Sequence, residues 1–273
     1  MTNKEYENKV LAWRDARYKA LTRENSWLAL AGLYWLNEGR NLVGSNPLCE
    51  VILPERAPAI LGIIEYGKTI RFTAAEGVKV KVNGRSTQKA ILRSSSDAKP
   101  SFLTWNETLR MVVHGHAGNP AIRIWDNEQQ ERFSLPPLKW FPINKHFRIP
   151  AQYTHYKKPQ AMDHLDTFGE MVEDRIDGYV SFRFEGKTYK LDASKDKKNQ
   201  LFIKFRDGTS NKETYPPSRY YYTEAVKDNK VIIDFNYAYS PPCAFTGYAT
   251  CVFAPPQNTL PFRVEAGEIY RGA

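Results

Sequence analysis

The sequence has few cysteines, few histidines and no long apolar run. Its 273 residues include three Cys and five His. Three thiols are too few for a framework of several disulfides or for a four-thiolate zinc site. No segment approaches the roughly 18 consecutive apolar residues that a membrane-spanning helix needs, so we expect no membrane partner.

Several catalytic signatures are also absent. The chain contains no G-x-S-x-G elbow, no G-x-x-x-x-G-K-[ST] loop, no G-x-G-x-x-G fingerprint and no H-E-x-x-H pair. These absences argue against α/β-hydrolases, P-loop enzymes, Rossmann dehydrogenases and zincin proteases. We therefore predict no cofactor.

The chain is basic, with 39 Lys and Arg against 30 Asp and Glu and a net charge of +9. Such an excess permits binding to nucleic acids or anionic surfaces. The densest basic run, Lys195, Lys197 and Lys198, is interrupted by Asp196 and lies between two strand-like segments. This pattern favours a solvated loop over a phosphate-binding track. We therefore do not expect a nucleic acid as a partner. The excess positive charge would suit a small anionic ligand as well as it would suit a nucleic acid.

The N-terminal residues predict an amphipathic helix over residues 3–23. Thr2 and Glu5 have the spacing of a capping box, and Tyr6 and Trp13 follow at helical intervals as a docking face. The first 24 residues are rich in acidic side chains and contain no apolar segment typical of an export signal. We expect a cytoplasmic protein with reduced thiols.

The rest of the chain predicts a mainly β fold. Aromatic residues make up 13% of the sequence, and short apolar runs alternate with turn signals such as Asn83-Gly84. We predict an N-terminal helix (1–24), a β-sandwich-like unit (25–135) and a second antiparallel β-unit packed on it (136–273). Between the two β-units, residues 133–168 are rich in proline and predict an irregular crossing. The predicted strands lie at residues 27–36, 42–43, 51–53, 69–73, 78–82, 89–93, 103–113, 121–125, 178–184, 201–205, 219–223, 231–237 and 248–253.

One hairpin register can be predicted residue by residue. Residues 178–184 alternate between apolar and polar side chains and end at the turn Glu185-Gly186. A two-residue turn there pairs Phe182 with Tyr189 and Val180 with Leu191. All four side chains then lie on one apolar face.

The predicted strand 231–237 places two polar side chains on one face. Asp234 and Asn236 are neighbours by the period of two, within an otherwise apolar segment. Buried polar groups need partners. The pair therefore predicts either a polar face exposed to water or the wall of a pocket.

Two cysteines follow in the segment 240–251. A three-residue turn at 246–248 would place Cys243 directly opposite Cys251, within disulfide range. Three states remain open: two reduced buried thiols, a redox-active or structural disulfide, or half of a metal site. None of the five His lies in this segment, which makes the metal alternative weak.

A polar loop at 207–215 is dense in hydrogen-bonding side chains and is the kind of segment that holds ligands. It contributes the candidate ligand-binding residues Asp207, Thr209, Thr214 and Tyr215. Arg219, just beyond it, predicts either an anion clamp or a structural salt bridge with Asp234. The proline-rich segment 255–261 is expected to run extended over the surface and to return Glu268 to the site.

Several stretches resemble the domain-of-unknown-function family numbered 1684, a set of mostly prokaryotic proteins. The resemblance implies a family and no defined reaction. Where the family has Thr-Ser-Gly after the loop aspartate, this chain has Asn211 instead of glycine; asparagine tolerates positive φ, so we expect the turn to be kept. The residues that carry the resemblance are 13–14, 27–36, 43–45, 82–84, 205–215, Arg219, 234–236, 241–245, Cys251, 255–258 and 266–268.

Together these residues predict a pocket for a small, anionic molecule in the C-terminal β-unit, with hydrolysis as a possible activity. Asp234 or Glu268 would act as general base, and Cys243 is a candidate nucleophile without a histidine nearby in sequence. The alternative is a protein-interaction module without catalysis that uses the N-terminal sandwich. The predicted ligand-binding residues are Asp207, Thr209, Thr214, Tyr215, Arg219, Asn236, Cys251 and Asn258.

Overall fold

The chain begins with the predicted helix, α1 (Asn3–Thr22). The computed structural model describes residues 2–116, 119–270 and 272. At the start of α1 the backbone N–H of Glu5 donates to the Thr2 hydroxyl at 3.2 Å, and the N–H of Thr2 donates to the Glu5 carboxylate at 2.6 Å. This capping box occupies donors that a helix start leaves free, which confirms the predicted helix.

The predicted docking face of α1 is confirmed as well. Tyr6 is only 2% exposed. Trp13 packs edge-on against Trp140 and Tyr237, with ring centroids 5.6 Å and 5.2 Å away. Edge-to-face contacts of this kind add to the burial of apolar area. Residues 1–19 accordingly form one compact unit with residues 136–273, and residues 20–135 form another.

The unit 20–135 contains two antiparallel sheets. One has the order β1-β11-β10-β9-β6-β7 and the other has the order β3-β2-β4-β5-β8, in which β2 and β3 alone are parallel among the pairs described. The strands are β1 (Leu30–Trp35), β2 (Gly39–Gly44), β3 (Val51–Ile52), β4 (Gly62–Tyr66), β5 (Ile70–Ala74), β6 (Val80–Val82), β7 (Arg85–Thr87), β8 (Lys89–Leu92), β9 (Phe102–Trp105), β10 (Leu109–His116) and β11 (Asn119–Asp126).

Apolar side chains from both sheets form one core in this unit. Ile64 and Phe72 come from the five-stranded sheet, and Leu103 and Ile124 come from the six-stranded sheet. All four are at most 1% exposed. Two sheets that share a buried interior form a β-sandwich, as predicted for this part of the chain.

Two predicted strands of this unit differ in detail. The segment 103–113 is not one strand: it is divided into β9 and β10 by a turn at Asn106 and Glu107, whose φ angles are 48° and 57°. The segment 27–36 starts with a short 3-10 helix, Trp27–Ala29, and becomes extended only at Leu30.

The unit formed by residues 1–19 and 136–273 is built around one large antiparallel sheet. Its order is β17-β16-β15-β14-β13-β18, and a two-stranded sheet joins β12 to β19. The strands are β12 (Lys139–Trp140), β13 (Arg148–Leu165), β14 (Met171–Phe184), β15 (Lys187–Lys195), β16 (Gln200–Phe205), β17 (Arg219–Ala225), β18 (Lys230–Asp234) and β19 (Glu268–Ile269).

The large sheet curves until its two edge strands approach each other. The phenol of Tyr221 on β17 donates to the carbonyl of Ile232 on β18 at 3.3 Å and accepts the backbone N–H of Asp234 at 2.9 Å. These side-chain bonds take the place of a ladder between β17 and β18. The result is a nearly closed barrel.

The predicted register of the β14–β15 hairpin is confirmed. Phe182 pairs with Tyr189, and Val180 pairs with Leu191. Val180 and Leu191 are fully buried, and Phe182 packs at 5.9 Å from the Tyr189 ring. The turn works because Glu185 and Gly186 both adopt positive φ, 47° and 79°.

Residues 133–168 do contain the boundary between the two units, at 135/136, but the prediction that the stretch is irregular is wrong. This stretch contains β12 and all of β13, an 18-residue strand. The prolines suggested a break, but Pro159 lies where the pairing of β13 with β14 is interrupted, between His155 and Gln160. A proline at such an irregularity removes no hydrogen bond from the ladder.

Two predicted strands near the C-terminus are also corrected. Strand β18 stops at Asp234, and residues Phe235–Tyr237 form a 3-10 helix. The segment 248–253 is not a strand; Val252 makes only an isolated bridge to Asp166. Across the described ranges, none of the helices is long and apolar enough to span a membrane.

Candidate functional site

Asp234 and Asn236 are brought together by a helical turn rather than by a strand. Asp234 is the N-cap of the 3-10 helix Phe235–Tyr237, and its Oδ1 accepts from the Asn236 backbone N–H at 3.2 Å and from its side-chain amide at 2.9 Å. The Tyr6 phenol donates to both carboxylate oxygens, at 2.9 and 3.0 Å. Burial raises the pKa of Asp234, while the bonds from Asn236 and Tyr6 oppose the rise.

Asn236 also anchors the segment before β13. Its side-chain oxygen accepts the backbone N–H of Asn144 at 2.9 Å, and its amide donates to the Asn144 carbonyl at 2.9 Å. Asn236 is fully buried and Asp234 is 6% exposed. The pair is thus held inside the unit, and each side chain has its hydrogen-bonding groups occupied.

The loop 207–215 is organised around the Asp207 carboxylate. Asp207 Oδ1 accepts the backbone N–H of Thr209 at 2.7 Å and the Thr209 hydroxyl at 2.5 Å. The hydroxyls of Thr209 and Thr214 lie 2.9 Å apart. Asn211 adopts a φ of 63°, as expected for a turn at this position.

Arg219 makes a buried ion pair with Asp207. Its Nη1 lies 2.9 Å from Asp207 Oδ2, and the two side chains are 1% and 0% exposed. The guanidinium also donates to the carbonyls of Val264 and Ala266. Burial lowers the pKa of Arg219, and Asp207 opposes this effect. The alternative partner predicted for Arg219 is corrected: Asp234 faces Arg148 instead, at 3.6 Å.

Glu268 is the first residue of strand β19. It is 1% exposed, and its carboxylate lies 3.2 Å from Nε of Arg17 on α1. Arg17 also donates to the Ser240 carbonyl at 2.8 Å and stacks over the Tyr239 ring at 4.5 Å. Burial raises the pKa of Glu268, and the charge of Arg17 opposes the rise.

Cys243 and Cys251 lie side by side, although not in the predicted hairpin. The chain forms a 3-10 helix at Pro242–Ala244, and the backbone N–H of Cys243 points at the Cys251 sulfur, 3.2 Å away. Both are free thiols. The Tyr215 phenol donates to the Cys243 carbonyl at 3.4 Å and packs edge-on against Tyr270.

The pKa values of the two thiols are shifted in opposite directions. Hydrogen bonding with the Cys251 side chain lowers the pKa of Cys243, and the Tyr215 phenol contributes in the same direction. The same hydrogen bond between the two thiols, together with burial, raises the pKa of Cys251. Cys243 is partly exposed, whereas Cys251 is 5% exposed. Cys243 is therefore the more accessible and more acidic thiol.

Asn258 lies apart from these groups. Its side-chain oxygen accepts the Asp192 backbone N–H at 2.7 Å, and its amide donates to the carbonyls of Asp192 and Lys204. The proline-rich segment 255–261 was predicted to be extended, but it is not extended throughout, because Pro256–Asn258 form a 3-10 helix. Asn258 thus ties the C-terminal segment to strands β15 and β16.

The structure groups the predicted residues into several clusters, and two of these touch, because the Tyr215 phenol of the loop 207–215 donates to the Cys243 carbonyl. Arg219 with its loop, Asp234 with Asn236, the Glu268–Arg17 pair and the two thiols each have their own hydrogen-bonding partners. Within the described residues, none of the eleven predicted side chains lines any of the three cavities reported below. In those same ranges there is also no group of three or more His, Cys, Asp and Glu side chains placed to hold a metal ion.

Several residues that complete these clusters were not predicted as site residues. Arg17 and Arg148 supply the cations for Glu268 and Asp234. A further cluster consists of His164, Asp174 and Lys204. Nδ1 of His164 lies 3.2 Å from the Asp174 carboxylate, which Lys204 also contacts. The helical face of α1 was a usable signal for Tyr6, whereas sequence spacing gives none for contacts with Lys204.

The most voluminous of the three cavities lies in the C-terminal β-unit, and we name it the β13–β18 groove. It has a volume of about 790 Å³. Two further cavities, of about 530 and 490 Å³, lie within the unit 20–135. The β13–β18 groove is lined by strands β13, β14, β15 and β18 and by the end of β17, with Gln152, Arg183, Glu224, Lys227, Lys230 and Ile232 among its wall residues.

The family comparison supports the resemblance found in the sequence over residues 134–269, and the match does not extend to the quoted stretches between residues 13 and 84. The family model described as "Protein of unknown function (DUF1684)" matches residues 134–269. The solution NMR structure of an uncharacterized protein from Haloarcula marismortui is 31% identical over 51% of this chain and 80% of that chain, with a TM-score of 0.43. No curated protein matches. The matched residues include every predicted site residue, and the chain belongs to the DUF1684 family.

Proposed function

We propose that this protein binds a small anionic molecule in the β13–β18 groove. The supporting observation is that three cations, Arg183, Lys227 and Lys230, line one cavity of about 790 Å³. That volume is within the range of small-molecule sites. The groove belongs to the C-terminal β-unit, where the sequence predicts a ligand.

The cations of the groove are available to a ligand. Among the ion pairs of the described residues, none involves Arg183, Lys227 or Lys230. Glu224 and Asp228 also line the groove, so its wall carries one net positive charge from three cations and two carboxylates. Arg183 can form a bidentate contact with a carboxylate or a phosphate, which lysine cannot.

The wall also offers apolar contacts. Pro150, Ala225 and Ile232 lie in the same groove as the charged side chains. A molecule with an anionic group and an apolar body would use both surfaces, because burial of its apolar area adds to charge recognition. The proposal therefore specifies an amphipathic organic anion.

Hydrolysis remains a prediction. The candidate catalytic groups Asp234, Glu268 and Cys243 do not line the β13–β18 groove as the structure describes it. Partner binding by the unit 25–135 also remains a prediction. The proposal is limited to ligand binding.

The test uses 8-anilinonaphthalene-1-sulfonate, an anionic probe with an apolar body, and measures its binding by fluorescence titration. We expect saturable binding that Arg183→Glu combined with Lys230→Glu weakens by about tenfold or more, which corresponds to about 1.4 kcal/mol. Lys187→Glu is the matched control, because Lys187 is exposed on β15 and does not line the groove. The uncharged analogue N-phenyl-1-naphthylamine should be insensitive to the double substitution.

Two outcomes would contradict the proposal. One is equal affinity of the wild type and the double variant for the sulfonate. The other is an equal loss in Lys187→Glu, which would indicate a long-range charge effect. Near-ultraviolet circular dichroism of each variant shows whether its side-chain packing is intact. A variant with loosened packing would bind the probe for that reason and not through the groove.

A further inference from the structure

The two thiols of the C-terminal β-unit lie close enough to react with each other. The Cys251 sulfur is 3.2 Å from the Cys243 backbone nitrogen. Because the nitrogen is one bond, about 1.5 Å, from the Cys243 Cα, the Cys251 sulfur lies at most about 4.7 Å from that Cα, a separation compatible with a disulfide. Cys243 and Cys251 are eight positions apart in sequence, and the contact closes a short loop.

The surroundings of the two thiols are asymmetric. Cys251 is held by Thr167: its N–H donates to the Thr167 hydroxyl at 3.2 Å, and its carbonyl accepts the Thr167 N–H at 3.0 Å. Cys243 is partly exposed and neighbours Ala244 and Phe245, which are also partly exposed. One thiol is thus fixed in the interior, and the other can meet a molecule from solution.

Residues 243 and 251 both lie outside the strands that the structure describes. Closing a disulfide there would therefore break no ladder hydrogen bond. The bonds that involve residues 243–246 are turns such as Ala244 N–H to the Pro241 carbonyl at 3.0 Å and Thr246 N–H to the Pro242 carbonyl at 3.2 Å. Bond formation between the two sulfurs would therefore move a turn and leave the sheet in place.

We propose that Cys243 and Cys251 form a redox-active dithiol that reduces low-molecular-weight disulfides. Cys243 is the attacking thiol and Cys251 is the resolving thiol. The lowered pKa of Cys243 agrees with the first role, since the thiolate is the nucleophile.

The reaction balances in two steps. The Cys243 thiolate attacks one sulfur of the disulfide R–S–S–R, forms a mixed disulfide and releases RS⁻, which takes up the proton that Cys243 lost. Cys251 then attacks the Cys243 sulfur, breaks the mixed disulfide and gives its proton to the second departing RS⁻. The protein is oxidised by two electrons to the Cys243–Cys251 disulfide, and the substrate is reduced to two thiols.

The test titrates the native, reduced protein with mixtures of reduced and oxidised glutathione and maps the products by peptide mass spectrometry. We expect a reversible Cys243–Cys251 disulfide in the wild type. In Cys251→Ser, oxidised glutathione should leave a stable mixed disulfide on Cys243, whereas Cys243→Ser should leave none on Cys251. Cys49, a buried thiol of the other unit, is the internal control: iodoacetamide should modify Cys243 at least about tenfold faster.

Two results would overturn the proposal. The first is a native wild-type protein in which both thiols persist at every glutathione ratio while a control dithiol is oxidised. The second is a Cys251→Ser variant in which glutathione adducts at Cys49 are as abundant as those at Cys243. Since the wild type alone decides the first result, instability of a serine variant does not remove the test. Groove charge reversal leaves this chemistry unchanged, so the two proposals succeed or fail separately.

Discussion

The phenol of Tyr6 on α1 donates to both carboxylate oxygens of Asp234, at 2.9 and 3.0 Å, across 228 positions of sequence. Tyr6 also accepts the Asn236 side-chain amide at 3.0 Å. The first turns of α1 therefore complete the hydrogen bonding of a buried carboxylate at the end of β18. Burial with the adjacent carboxylate also raises the pKa of Tyr6, so its proton stays on the phenol.

Tyr6→Phe should lower the free energy of unfolding by about 1–3 kcal/mol, because the buried carboxylate loses a donor that water cannot replace. Urea unfolding measures the change. Tyr248→Phe is the matched control, since Tyr248 is 39% exposed. Equal effects of the two substitutions would show that the Tyr6–Asp234 bond adds nothing to stability.

Arg219→Met should destabilise the protein by about 3–5 kcal/mol, because it leaves the Asp207 carboxylate buried without its cation. The ion pair is fully enclosed, with side chains 1% and 0% exposed. Arg263→Met, which removes a 40% exposed arginine from its pairs with Glu213 and Glu265, should change stability far less than Arg219→Met, because water screens exposed ion pairs.

Arg219 was also predicted as an anion clamp, and the same variant tests that role. A structural ion pair predicts a large fall in the unfolding midpoint together with unchanged affinity of the folded fraction for the sulfonate probe. Loss of probe binding without a change in the midpoint would favour the clamp.

Local patterns were sufficient to predict much of the fold. The pairing of Phe182 with Tyr189 follows from strict alternation and a two-residue turn, both contained within a few residues. Helix α1 follows from its capping box and its apolar spacing. Strand β13 could not be predicted in the same way, because its partners lie on β14 and β18 and its prolines resemble breakers.

The candidate site was predictable only in part. Asp234 and Asn236 are neighbours, as predicted, but through a 3-10 turn that no period-two rule contains. The proximity of Cys243 and Cys251 was predicted from a hairpin, whereas in the structure Cys243 lies in the 3-10 turn Pro242–Ala244 and Thr167 holds Cys251. The Arg17–Glu268 contact joins the two ends of the chain, and no local pattern encodes it.

Acidification should destabilise the protein through His164. Burial and the Lys204 charge lower the pKa of His164 below 6.5, with Asp174 opposing them. Below about pH 6.5 the unfolded chain binds a proton that the native imidazole resists, so the free energy of unfolding falls as pH drops, by at most about 1.4 kcal/mol per pH unit. His164→Gln should remove this component in urea unfolding at pH 7.5 and 5.5.

The control for this pH effect is His146→Gln, because the His146 side chain is 55% exposed. The stability difference between wild type and His164→Gln should shift in favour of the variant as pH falls. A constant difference at both pH values would show that His164 does not take part in the acid response.

Gly267→Ala should be one of the most damaging small substitutions in the C-terminal β-unit. Gly267 has a φ of 84°, and an added Cβ would lie 2.4 Å from the Ala238 carbonyl oxygen and 2.8 Å from the Arg219 guanidinium. Backbone strain and overpacking together should lower the free energy of unfolding by about 2–5 kcal/mol. Urea unfolding followed by tryptophan fluorescence measures the loss.

Gly186→Ala separates the two contributions. Gly186 has nearly the same φ, 79°, but a Cβ there meets no atom within 4 Å. Its substitution should therefore cost only the backbone strain, about 1–2 kcal/mol. If both glycines cost the same, then the close approach of residue 267 to Arg219 and to the Ala238 carbonyl is accommodated by movement, and the packing around the Arg219–Asp207 pair is looser than these distances indicate.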